Sequence, residues 1–75
     1  MNRYNDWENL LRIYNEDLEK TGYSLLLTKD EDDYWSCEIR KDGELVETYA
    51  ENYWEEELSD LIIDAAHYVL RCLAR

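Results

Sequence analysis

The chain has no proline and no phenylalanine, only two glycines, two cysteines and one histidine, and few basic residues for its 75 positions. Each scarcity excludes something. Without proline and with so little glycine, a flexible linker or a disordered tail is not expected. Two cysteines are too few for a secreted disulfide scaffold. Cys37 and Cys72 each fall within an apolar-periodic segment, so both read as reduced core residues. His67 has no cysteine or histidine at ligand spacing, which leaves a partly buried or interfacial histidine rather than a zinc ligand or a general base. No Ser-His-Asp set, glycine-rich phosphate loop or paired acid–base site is present, so the reading is a non-enzyme without a cofactor or metal. No apolar run approaches the ~20 residues of a membrane span, and Met1 to Asp6 is polar. The expectation is one cytoplasmic domain, residues 1–75, of a bacterial host.

The shortage of basic residues matters most. Eight Lys and Arg against nineteen Asp and Glu leave a net charge of −11. Such a charge opposes direct contact with nucleic acid or an anionic membrane and favours a basic protein partner.

The remaining residues supply a clear pattern. Asn5-Asp6-Trp7-Glu8 is a helix-start signal, and Trp7, Leu10, Leu11, Tyr14 and Leu18 follow at helical spacing, with Gly22 placed to end the helix. The first helix is therefore expected over Asp6–Thr21. Tyr23–Lys29, Tyr34–Lys41 and Glu44–Ala50 read as strands; the second alternates apolar and polar residues, and Asp42-Gly43 is a strong hairpin signal. Asn52-Tyr53-Trp54-Glu55 repeats the capping pattern ahead of a stripe of Trp54, Leu58, Leu61, Ile62, Ala65, Val69, Cys72 and Leu73. The fold class is α+β: an α-β-β-β-α domain, in which a three-stranded antiparallel meander carries two helices on one face.

In that topology the start of helix 1, the turn after strand 1, the end of strand 3 and the start of helix 2 share one pole. Ten acids collect there (Asp6, Glu8, Asp30, Glu31, Asp32, Asp33, Glu51, Glu55, Glu56 and Glu57) against only Arg3 and Lys29. The opposite pole balances five bases with five acids, so the charge is polarised. Acids at helix N-termini complement the dipole and turns are wet. Four acids in one connection repel one another, however, and Gly, Asn or Ser would make an equally soluble turn. A calcium loop is not indicated: Asp30 and Asp32 have the spacing, but no glycine turn follows and the flanking residues are strand-like.

Apolar residues are also in surplus. A simple two-residue turn at Asp42-Gly43 sets Ile39 opposite Val46, Cys37 opposite Thr48 and Trp35 opposite Ala50, all facing the helices. The outer sheet face then carries Tyr34, Leu45, Tyr49 and Leu26. A bulged three-residue turn instead moves Leu45 and Tyr49 inward and leaves Val46 and Tyr34 out. Ile63, Ala66, Leu70 and Ala74 form a second stripe on helix 2. Counted from its cap, that helix is about 34 Å long against about 23 Å for a strand, so its last turns should overhang the sheet. Leu26, Leu45, Tyr49, Ile63 and Leu70 are therefore candidates for an oligomer interface, with a homodimer as one outcome.

With "KDEDDYW" and "NYWEEEL" as its acidic segments, the chain resembles phage-encoded inhibitors of bacterial defence, in particular anti-CRISPR proteins and acidic DNA mimics. The resemblance lies in size, charge and element order. It implies an acidic pole that imitates phosphates and occludes a nucleic-acid channel on a Cas effector or nuclease. Asp30, Glu31, Asp32, Asp33, Glu55, Glu56 and Glu57 would be the contacts, and Tyr34, Tyr53 and Trp54 the rim anchors. An immunity protein or antitoxin for a basic nuclease toxin, or a homodimeric assembly module without charge mimicry, are the alternatives.

Overall fold

A computed structural model describes residues 6–50 and 57–75. Helix α1 spans Asp6–Leu18 and tightens into a 3-10 turn over Glu19–Thr21, and strands β1 (Tyr23–Lys29), β2 (Trp35–Lys41) and β3 (Glu44–Ala50) follow, then helix α2 (Leu58–Leu73). The sheet is antiparallel in the order β1-β2-β3, as the element order predicts. The capping pattern Asn52–Glu55 lies outside the described residues.

One contiguous core fills the space between sheet and helices. Leu18, Leu25, Cys37, Ile39, Leu58, Leu61, Ile62, Ala65, Ala66 and Val69 are buried, with Trp7, Leu10, Leu11 and Tyr14 of α1 packed against them. A fully buried Leu or Ile contributes about 1.5–3 kcal/mol, so the α2 stripe dominates the stability of so small a chain. The helix-1 stop works as its sequence suggests. Gly22 adopts φ +84°, a left-handed conformation that favours glycine, and a Cβ there would strike the Asp42 carboxylate.

Asp42 (φ 53°) and Gly43 (φ 89°) form the two-residue hairpin turn with both central residues left-handed, closed by the Lys41–Glu44 pair. The simple register does not persist beyond it. Arg40 pairs with Leu45 but Ile39 pairs with Glu47, so Val46 is an extra, bulged residue. From there Cys37 opposes Tyr49 and Ser36 opposes Ala50, one step from the expected alignment. Tyr49 thereby turns to the helix side, half-buried, with its ring 6.0 Å from that of Tyr68 in an edge-on contact. This corrects its assignment to the outer face. The bulge exchanges Thr48 for an aromatic on the packed side, and burying the larger ring favours that register.

Leu45 precedes the bulge and stays outward, 52% exposed, and Leu26 is also outward at 47%. They do not form a continuous patch. Leu26 opposes Glu38 and Leu45 opposes Arg40, and these two central residues make an ion pair at 2.7 Å. A charged pair thus divides the outer face, and Ser24, Thr28, Ser36 and Thr48 complete it on the same side. Tyr34 lies outside β2 altogether, in the loop before it.

On α2, Ile63 is half-buried and Ala66 buried, whereas Leu70, Leu73 and Ala74 are exposed. Over Leu58–Leu73 the helix is about 24 Å long, matched to the strands rather than half as long again. Its cover nevertheless runs out in the last turn. His67 is exposed, not partly buried.

Candidate functional site

The acidic connection is a structured turn. Asp30 donates its backbone N–H to the Tyr34 carbonyl (3.1 Å), and Asp33 donates its own to the Asp30 carbonyl (3.1 Å). The Asp30 carboxylate Oδ1 accepts the backbone N–H groups of Asp32 (2.9 Å) and Tyr34 (3.0 Å). Asp33 sits at φ 64°, the left-handed position that ends a three-residue hairpin loop. Short polar side chains are the non-glycine residues that tolerate that conformation best.

Two of the four acids therefore have a structural cause. Asp30 organises the loop through its carboxylate, and Asp33 fills a strained backbone position and pairs with Lys29 at 3.3 Å. Glu31 and Asp32 are different. They occupy the exposed tip, and neither carboxylate bonds to any described residue. Nothing in the turn requires an acid at either place.

The base of the loop is held by aromatics. Lys29 lies 5.4 Å from the centre of the Trp35 ring, and Trp35 meets Trp7 of α1 at 5.9 Å in a tilted contact. The Trp7–Trp35 contact sets the start of α1 beside the start of β2, as the shared pole requires. Glu8 is exposed in the first turn of α1, and Glu57 is exposed at the N-cap position of α2. Tyr34, 47% exposed, closes the loop and stands next to its tip. Tyr53, Trp54, Glu55 and Glu56 lie outside the described residues.

Local pairing occupies the Lys29 charge at this pole, and other basic side chains are paired elsewhere. Lys29 is held by Asp33, Arg12 pairs with Glu16 at 3.0 Å, and Arg40 pairs with Glu38. Lys41, at the opposite pole, donates to the Thr21 carbonyl at 2.6 Å and covers the Tyr23 ring at 4.5 Å.

Among the described residues no group of His, Cys, Asp and Glu is arranged to hold a metal ion, and no helix is long and apolar enough to cross a membrane. Burial pushes the Cys37 thiol up to about 11, with the charge of Glu38 adding to the effect, so this sulfur is a protonated core group. No protein-family model, curated protein or solved structure matches the chain.

Two arrangements escaped the sequence reading. Asn15 of α1 bonds to the outer edge of β1, and a cluster of Tyr49, Tyr68, Cys72 and Tyr23 joins β3, α2 and β1. An asparagine in the middle of an amphipathic helix was a signal for the first. The second depended on the bulge.

Proposed function

We propose that the chain is a non-catalytic, protein-binding inhibitor whose acidic pole covers a basic, nucleic-acid-binding surface of a Cas effector or nuclease. The observation that carries this reading is the exposed pair Glu31 and Asp32 at the tip of a hydrogen-bonded turn. Each carboxylate lacks an internal role, while Asp30 and Asp33 shape the loop beneath them. Adjacent like charges repel, by less than about 1 kcal/mol in water, and a turn gains nothing from that repulsion. A basic partner removes it. Glu8 and Glu57 widen the acidic surface at the same pole, and Tyr34 supplies an aromatic contact beside the tip. Charge complementarity of this kind speeds association and is weakened by salt. An antitoxin that neutralises a basic nuclease toxin uses the same surface in the same way.

The test is retrieval of partners from bacterial lysate by the tagged chain at low salt, followed by elution with duplex DNA. A DNA-binding protein that DNA releases, and that the Glu31→Gln/Asp32→Asn variant does not retain, is the expected result. Equal retention of the same protein by native and variant chains would assign these acids to solvation. Asp30 and Asp33 are left intact because their replacement would alter the loop itself.

A further inference from the structure

The two edges of the sheet are finished differently. At β1 the Asn15 side chain accepts the Leu25 N–H at 2.8 Å and donates to the Leu25 carbonyl at 3.0 Å. Its amide stands where the peptide of a neighbouring strand would stand, and caps that edge at Leu25. At β3 nothing equivalent is present among the described residues. Six of its seven residues are exposed, and α2 reaches it through Tyr68 on Tyr49 and a 3.5 Å contact from Arg71 to the Tyr49 hydroxyl.

Strand alternation fixes which β3 groups face outward. The Leu25 backbone turns away from β2 toward Asn15, so Ile39, its partner, turns its own backbone toward Glu47 of β3. The backbone groups of Thr48, one residue on, therefore face the open side. The Thr48 N–H is met there by the carboxylate of its neighbour Glu47, at 3.0 Å. A side chain thus holds the edge donor of a strand that is the last of its sheet among the described residues.

We propose that the β3 edge is a second interaction surface, which takes an extended segment of a partner protein as a fourth strand. The chemistry of the edge specifies the segment. Glu44 and Glu47 are exposed on the helix side of β3, while Leu45 and the bulged Val46 are among its exposed apolar residues. The matching strand alternates basic residues, which meet Glu44 and, across the bulge, Glu47, with apolar ones, which meet Leu45 on the other face. A lysine or arginine drawing the Glu47 carboxylate away frees the Thr48 N–H for the carbonyl of the incoming strand. A second copy of this chain is the wrong occupant, since it would bring −11 against −11 and line the seam with glutamates from both sides. The edge lies apart from the acidic tip, and its use does not depend on the function proposed for that tip.

The experiment is an amide-resolved NMR titration of the full chain with a synthetic peptide of alternating lysine and valine. Saturable shifts at Thr48 and Ala50, with slowed exchange of the Thr48 N–H, are expected. The same peptide N-methylated on its pairing face, or with glutamate for lysine, should bind at least about tenfold more weakly. Thr48→Pro, which deletes the donor on an edge strand, should do likewise; the N-methylated peptide makes the same comparison without altering the fold. The Glu31→Gln/Asp32→Asn variant should bind the peptide unchanged. Shifts centred on Glu31, Asp32 and Glu57, no saturable shift at all, equal binding of the N-methylated peptide, or a peptide-free dimer that already protects Thr48 would each overturn the proposal.

Discussion

At the scale of single residues, the acidic turn separates into parts with opposite duties. Asp30→Ala should cost about 1–2 kcal/mol, because the N–H groups of Asp32 and Tyr34 lose their acceptor. Asp30→Asn keeps an oxygen in place and should cost less than half as much, as urea unfolding of the two variants can show. Asp33→Gly relieves a left-handed backbone at the expense of the Lys29 ion pair, and should leave stability within about 1 kcal/mol of the native value. Cys37 makes a pH-dependent contribution with a defined sign. The folded chain holds this proton up to about pH 11, whereas the unfolded chain releases it near its ordinary value of about 8.5–9. The contribution is complete below about pH 8.5 and is lost as pH rises through about 11, to a limit of about 2–3 kcal/mol. Tyr23, raised chiefly by desolvation, and Tyr68, raised chiefly by its hydrogen bond with Cys72, act in the same direction. Unfolding midpoints measured at about pH 8 and about pH 10.5 should fall more for the native chain than for Cys37→Ala.

At the scale of elements, the helices and strands follow from periodicity and punctuation, and the register does not. Leu58, Leu61, Ile62, Ala65 and Val69 recur at helical spacing because one helix face is buried, and that signal survives in the sequence alone. Asp42-Gly43 likewise identifies its own turn. Val46 carries no such mark: a bulge depends on which of Thr48 and Tyr49 packs better against α2, and Tyr68 decides that from a distance in sequence. The same holds for the acidic loop, where four carboxylates look alike until the backbone assigns Asp30 and Asp33 to the turn. Tyr49→Ala should therefore cost about 2–3 kcal/mol, where an outward tyrosine would cost little, and thermal denaturation distinguishes the two. Asn15→Ala should cost about 2 kcal/mol and speed the hydrogen exchange of Leu25, because both of its edge groups lose their partner.

At the scale of the whole molecule, one pole is acidic beyond what the fold requires. Helix starts and turn chemistry account for Glu8, Asp30, Asp33 and Glu57, and neither accounts for Glu31 and Asp32. Glu31 and Asp32 remain, exposed and without a bond to any described residue, and the proposed binding of a basic partner is the reading that gives them a use. The net charge of −11 makes the consequence measurable without that partner. Thermal unfolding of the native chain and of Glu31→Gln/Asp32→Asn, compared at low and at high salt, tells whether these two carboxylates serve the fold or only face outward. A variant that melts at the native temperature or up to about 4 °C above it at low salt, with the gap closing as salt rises, is the predicted result. A variant that melts lower would show that the two carboxylates hold the turn together, and would remove the reason for assigning them to binding.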